Sequence, residues 1–118
     1  MQEVYTLLRA AQVRFLAVCE GNQPHLYPFD AFRFHRGRLY FQAGRGDPVS
    51  RLLRLNPRLA LCTAQEDGWL SVEGSAVLDS DRETREALDA GDDAELWYLR
   101  NCSAARYTAD EPPKVWRI

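Results

Sequence analysis

The chain has 118 residues, of which 46% are hydrophobic and 27% are charged, and its formal net charge is −2. This balance is that of an ordinary globular protein, and the length predicts one domain over residues 1–118. No apolar run approaches the roughly 18 residues of a membrane span, and the basic residues are too scattered to form a nucleic-acid surface.

Hydrophobic periodicity predicts a mainly β chain with short helices. The predicted helices cover residues 3–12 and 48–56 and a segment from a capping box at 80–83 to about residue 90, with a further helical turn at 95–100. The predicted strands cover residues 15–20, 24–35, 38–43, 58–64 and 69–78, with weaker strands at 104–108 and 114–118. Because most of the connections are tight turns, we expect an antiparallel sheet that closes into a small barrel.

Two prolines give local predictions. Pro28 cannot donate a hydrogen bond to a sheet, so the strand over residues 24–35 must bend or run along an edge there. Strict alternation along this segment would place Leu26 and Phe32 on the same face. Pro48 suits the first position of a helix, and Asp47 before it is the predicted N-cap.

Cysteine and histidine residues give no sign of a metal or catalytic site. The three cysteines are an odd number without metal-ligand spacing, which is typical of small core residues in a reducing compartment. The two histidines, His25 and His35, have no cluster of further ligands around them, so we predict no zinc site and assign no catalytic residue. The first ten residues lack the pattern of a signal peptide, and we expect a cytoplasmic protein.

The order and spacing of several segments resemble one known family. The segments are residues 15–18, 24–29, 37–41, 55–62, 69–77, 98–101 and 113–115, with the strongest match at 69–77. Together they resemble the pyridoxamine 5′-phosphate oxidase-related, FMN-binding split-barrel proteins, specifically the short bacterial members. The resemblance implies a six-stranded antiparallel split β-barrel that forms a homodimer, with FMN at the subunit interface. Members of that family include oxidases and flavin-dependent reductases.

The resemblance also implies where the FMN phosphate would bind, and the sequence departs from the family there. Tyr27 stands where the family usually has an arginine, and Asp47 stands where it usually has a lysine. As an N-cap, the Asp47 carboxylate is expected to occupy the donors at the helix N-terminus and to repel a phosphate. Compensating contacts are predicted from five residues around the loop: Gly44, Arg45, Gly46, Ser50 and Arg51.

The flavin ring is expected to lie against the predicted strand over residues 24–35, with Phe29, Ala31 and the backbone from Pro28 to Asp30 as its wall. Ala43, before the glycine loop, is a further predicted contact. Trp116 resembles the aromatic residue that some family members present from the second subunit. Each aromatic residue also has the commoner interpretation of core or interface packing.

Three functions remain open from the sequence. The first is a small FMN-dependent oxidoreductase, in which the cofactor carries the redox chemistry. The second is a non-catalytic dimer that binds another ligand, such as a haem, a deazaflavin or a neutral metabolite, because Tyr27 and Asp47 replace the usual cations. The third is a structural or interaction protein with a vestigial site.

Overall fold

A computed structural model describes residues 1–11, 13–29 and 32–117 of the chain. Within these residues there are eight strands and three helices. In chain order they are α1 Gln2–Ala10, β1 Arg14–Glu20, β2 Gln23–Pro28, β3 Phe32–His35, β4 Arg38–Gly44, α2 Pro48–Leu55, β5 Arg58–Gln65, β6 Gly68–Leu78, α3 Arg82–Ala87, β7 Ala94–Thr108 and β8 Lys114–Arg117. None of these helices is long and apolar enough to cross a membrane.

The strands form one sheet, in which every neighbouring pair is antiparallel, as the turns predict. The order is β2-β1-β5-β6-β7-β4-β3, and β8 pairs with β7 outside this path. The described strands do not close into a ring, so β2 and β3 form the two ends of the sheet. The sheet is therefore a split barrel with eight strands rather than the six that the resemblance implies.

The predicted strand over residues 24–35 divides into β2 and β3, and the division reverses the buried face. Leu26 in β2 is 64% exposed, whereas Phe32 in β3 is only 6% exposed, so the prediction that they share a face is wrong. The reversal lies between β2 and β3; the pairing with β1 runs to the end of β2, where Pro28 lies opposite Phe15 and the Phe29 N–H donates to the Arg14 carbonyl at 2.8 Å. β3 pairs with β4 from Arg38 to Phe41 within the described residues.

The predicted helical turn at 95–100 is also wrong, because these residues belong to β7. This strand has 15 residues and pairs with β6, with β4 and with β8. Leu96 and Trp97 are both buried although they are consecutive, because both faces of the strand are covered here. Burial on both faces removes the alternation by which a strand is distinguished from a short helix.

The main core lies between the sheet and helices α1 and α2. Val4 and Leu8 of α1 and Leu52 and Leu53 of α2 are buried in it, as their helical spacing predicts. Helix α3 begins one residue later than predicted, because Asp81 is its N-cap and accepts a hydrogen bond from the Thr84 backbone N–H at 3.0 Å. A second, smaller apolar cluster contains Tyr40, Leu88 and Leu96 on the other face of β4 and β7.

Candidate functional site

A cleft is lined by the end of β2 and by residues of β3, β4 and β7. The cleft has a volume of about 420 Å³, which lies in the range of ~300–1,000 Å³ that is usual for small-molecule sites. Its described lining residues are Pro28, Phe29, Arg33, Tyr40, Phe41, Gln42 and Leu96. The structure thus places the predicted ring wall, Pro28 and Phe29, at a real concavity, while the predicted Asp30 and Ala31 lie outside the described residues.

Aromatic rings form one wall of this cleft. Phe29 meets Phe41 edge to face, with ring centroids 5.4 Å apart and planes at 88°. Phe32 lies behind them, 5.8 Å from Phe29 and 6.1 Å from Phe41 between centroids. These contacts hold the rings in place, and because Phe41 and Phe32 are 1% and 6% exposed, the half-buried Phe29 is the ring of this group that is open to a ligand.

Arg33 is the charged residue among the described residues that line the cleft, and the sequence analysis did not select it. It lies directly opposite Tyr40 in the β3–β4 ladder, so the two side chains are on the same face. On the sequence it was one of three arginines in a strand-turn-strand segment, which is typical of solvated strand edges. The division between β2, which ends at Pro28, and β3, which begins at Phe32, places Arg33 near the cleft. The sequence alone does not distinguish Arg33 from the other two arginines.

The loop between β4 and α2 differs from the prediction at Asp47. Asp47 is the N-cap of α2, but its carboxylate makes no side-chain capping bond to the helix. Instead Asp47 Oδ2 accepts a hydrogen bond from the Gly44 N–H at 2.8 Å. The prediction that this carboxylate occupies the helix-terminal donors is therefore wrong. A Cβ atom at Gly44 would lie 2.8 Å from Asp47 Oδ2, so glycine permits this contact.

Arg45 is the exposed cation of this loop. Its guanidinium has no hydrogen-bond or ion-pair partner among the residues described, while its backbone N–H donates to the Asp93 carbonyl at 2.7 Å. Asp93 and its neighbour Asp92 are both exposed. The loop therefore offers one unpaired cation in a setting with several carboxylates, including Asp47.

Two further predicted residues point into the core. The Ala43 side chain is packed in the main cluster, so only its backbone lies near the loop. Ser50 is 0% exposed, and its hydroxyl oxygen accepts a hydrogen bond from the Trp97 indole N–H at 3.3 Å. Arg54 fastens the same helix to β7, because its Nη1 donates to Oε1 of the buried Glu95 at 3.0 Å. The Ser50 hydroxyl thus fixes helix α2 and is not exposed to a ligand in this structure.

The other predicted cation, Arg51, is exposed and faces the β1–β2 turn. Its Nη1 lies 3.5 Å from Oε2 of Glu20, whose other oxygen lies 3.1 Å from His25 Nε2. Tyr27 is half-buried on the same strand as His25, and their rings stack with centroids 6.4 Å apart. Tyr27 and Arg51 therefore belong to the β1–β2 side of the site.

Trp116 lies on β8 and is held by helix α1 of the same chain. Its indole N–H donates to Glu3 Oε2 at 2.9 Å, and Lys114 donates to Glu3 Oε1 at 2.7 Å. These two hydrogen bonds lower the pKa of Glu3 below its ordinary value. β8 pairs with residues 103–106 of β7, toward the other end of that strand from Leu96, which lines the cleft, so the structure of one chain does not bring Trp116 to the other predicted residues.

A buried polar contact supports the side of the cleft that lies beneath α3. The Tyr40 hydroxyl donates to Asp79 Oδ2 at 2.8 Å, and burial and this contact raise the pKa of Tyr40. The neighbouring Arg38 stacks over the Tyr98 ring, with 4.2 Å from the guanidinium carbon to the ring centroid. These contacts hold Tyr40 as a fixed wall of the cleft.

Comparison with solved structures confirms the resemblance to the pyridoxamine 5′-phosphate oxidase-related split barrels at the level of the fold. A NimC/NimA family protein from Clostridium acetobutylicum has a TM-score of 0.90 at 21% identity, over 100% of this chain and 92% of that one. A protein from the same organism, related to general stress protein 26 and named as pyridoxinephosphate oxidase family, has a TM-score of 0.73 at 16% identity, over 99% and 93%.

A haem-binding protein from Mycobacterium smegmatis shares the fold as well. Its TM-score is 0.73 at 14% identity, over 98% of this chain but only 56% of the longer neighbour. No protein-family model and no curated protein matches the chain. At these identities the likeness establishes the architecture, and the ligand must be argued from the site itself.

Proposed function

We propose that this protein is a cytoplasmic, homodimeric FMN-binding oxidoreductase whose flavin ring lies at the mouth of the cleft, against Pro28 and Phe29. The observation that carries the proposal is the aromatic cleft at the split of the barrel. A flavin needs few protein groups for its redox chemistry, because the cofactor supplies it, and the protein positions and shields the ring. The free state of all three cysteines is consistent with a reducing compartment.

The phosphate of FMN would bind at the loop that follows β4. Arg45 supplies a cation that has no other partner among the described residues, and Gly46 leaves its backbone open to an anion, whereas the Gly44 N–H already donates to Asp47. Asp47 opposes this binding with its negative charge, although it is turned toward Gly44. The expected affinity is therefore weaker than that of a site with two cations.

A second copy of the chain would complete the site. The outer face of β1, β2, β5 and β6 carries exposed Phe15, Leu26 and Trp69, which are register neighbours of small residues such as Ala17 and Ala64. Such a flat apolar face is typical of a subunit interface. Because Leu26 lies two residues from Pro28, the interface would continue into the cleft. The predicted approach of Trp116 to the flavin of the other copy would require Trp116 to leave its hydrogen bond with Glu3.

The alternative is a non-catalytic dimer that binds a ligand without a phosphate dianion. The observation in its favour is the bond between Asp47 and Gly44, which fills the loop with a carboxylate where a phosphate would bind. A haem, a deazaflavin or a neutral metabolite would then occupy the aromatic cleft. The name of the M. smegmatis neighbour, a haem-binding protein, makes haem the first of these to test.

The deciding experiment is the visible spectrum of the purified protein after addition of FMN and removal of the excess. Retained flavin bands that weaken in Arg45→Gln, but not in the matched exposed variant Arg58→Gln, would support the proposal. Reduction of the bound flavin by a nicotinamide donor would then establish the oxidoreductase. A folded dimer that retains no flavin would overturn it, and a parallel titration with haem would test the alternative.

A further inference from the structure

Glu20 is an anion held between two basic side chains from different elements. It is the last residue of β1, and its Oε1 lies 3.1 Å from Nε2 of His25 on β2. Its Oε2 lies 3.5 Å from Nη1 of Arg51 on α2. The His25 ring in turn stacks on Tyr27, with 20° between the planes. A carboxylate of the chain itself therefore lies where an anionic ligand could contact an imidazole and a guanidinium together.

The contact between Glu20 and Arg51 is the looser of the two and is open to water. Besides the separation of 3.5 Å, the side chains of Glu20 and Arg51 are 51% and 58% exposed. Exposed ion pairs between long side chains stabilise a protein little, because water and salt compete for both charges. A phosphate dianion attracts a guanidinium more strongly than one carboxylate does, and it can accept two parallel hydrogen bonds from it. Arg51 can therefore leave Glu20 for a phosphate at little cost.

The place of Arg51 on α2 directs it toward the loop that carries Arg45. Its backbone N–H donates to the Asp47 carbonyl at 3.1 Å, so Arg51 lies one helical turn after the start of the helix. Side chains on a helix tilt toward its N-terminus, and the stem of Arg51 is therefore directed over the turn that begins at Asp47. Released from Glu20, its guanidinium would be the second cation beside that of Arg45, which has no partner among the residues described.

We propose that Glu20 is an internal competitor of the FMN phosphate: it holds Arg51 in the ligand-free protein, and phosphate binding at the loop after β4 transfers Arg51 from Glu20 to the phosphate. This inference rests on the proposed function, because it assigns a partner to the phosphate of that flavin. The step exchanges one ion-pair partner for another and changes no covalent bond. The preference of the site for FMN over riboflavin, which has the same ring without the phosphate, is then set partly by how strongly Glu20 retains Arg51.

The test compares FMN with riboflavin by quenching of flavin fluorescence at neutral pH. Glu20→Gln keeps an oxygen acceptor beside His25 and removes the competing charge, so it should tighten FMN binding about threefold or more and leave riboflavin binding unchanged. The gain should be absent when Glu20→Gln is introduced into Arg51→Gln, since the cation on which it depends is then missing. Glu83→Gln is the matched control, because Glu83 on α3 forms an exposed ion pair with Arg36 at 3.4 Å.

No gain in Glu20→Gln, an equal change in Glu83→Gln, or an undiminished gain in the Arg51→Gln background would overturn the inference. A protein that binds neither flavin rejects the proposed function, and inorganic phosphate then tests the inference alone. The NMR resonance of the Arg51 side-chain N–H, assigned by its loss in Arg51→Gln, should shift on addition of phosphate, and at lower phosphate concentrations in Glu20→Gln than in the parent protein. A resonance that does not move, or that moves identically in both proteins, would overturn the inference as well.

Discussion

The carboxylate of Asp47 accepts a hydrogen bond from the backbone N–H of Gly44, three residues earlier, at 2.8 Å. This hydrogen bond joins the two ends of the loop that leads into α2, and its acceptor is a carboxylate. For the phosphate site proposed above this contact is unfavourable, because it uses a backbone donor and introduces a negative charge.

Replacing Asp47 by lysine should strengthen FMN binding. The substitution removes a repulsive charge and adds an attractive one, and for an exposed residue we expect the dissociation constant to fall about tenfold or more. Quenching of flavin fluorescence on titration gives the constant. Asp47→Asn, which retains an oxygen acceptor for Gly44, should give a smaller gain. If both variants bind FMN like the parent protein, the phosphate does not lie at this loop.

Replacing Ser50 by alanine should destabilise the fold without affecting ligand binding. The change leaves the buried Trp97 indole N–H without its acceptor, which should cost about 1–3 kcal/mol in the free energy of unfolding. Urea denaturation measures the cost, and the exposed Ser80→Ala serves as the control. In a Trp97→Phe background, which lacks that donor, the Ser50 substitution should cost less. A large loss of FMN affinity with unchanged stability would place Ser50 at the ligand instead.

Replacing Leu26 by glutamate should dissociate the proposed dimer. Leu26 lies on the apolar outer face, and a carboxylate there would be buried without a partner in the interface. Sedimentation velocity at micromolar concentration should show a dimer for the parent protein and a monomer for Leu26→Glu. Leu55, which is 74% exposed at the end of α2, provides the control Leu55→Glu. Dissociation by both variants, or by neither, would contradict an interface on this face.

Stability at alkaline pH should depend on Cys102. Burial raises the pKa of this thiol to about 11 from an ordinary value of 9.0. The folded protein thus holds the proton more tightly than the unfolded chain, so its contribution is complete below pH 9 and is lost as the pH rises toward about 11. Over that window the parent protein should lose about 2–3 kcal/mol more than Cys102→Ala. Urea denaturation at the two ends of the window measures this, and parallel losses in both proteins would refute it.

Helix and strand patterns with one buried face could be predicted well from the sequence. The stripes of α1 and α2 are buried as expected, and Leu70, Val72 and Ala76 of β6 all face the core. These segments have the ordinary one-sided burial on which periodicity depends. The end of β7 was predicted as a strand at 104–108, whereas its beginning was missed for the opposite reason, since Leu96 and Trp97 are covered on both faces.

The candidate site was predicted less well, because it depends on the direction in which each side chain points, and the sequence pattern does not specify that direction. Asp47 has the residue type and position of a helix cap, yet its side chain turns back to Gly44. Ser50 lies one turn into α2, and only the docking of that helix on β7 shows that its hydroxyl points into the core. Arg33 gains its place at the cleft from the break after Pro28, which reverses the faces of the following strand.

The long strand β7 has a consequence for the order in which a newly synthesised chain can become compact. The pairs β1–β2, β1–β5 and β5–β6 form one sheet and β3–β4 forms another, and β7 joins them through its ladders with β6 and β4. While a ribosome has not yet released β7, these two pieces must remain separate, with strand edges open to other chains. The cleft, which needs both pieces, is therefore completed only after β7 has been synthesised.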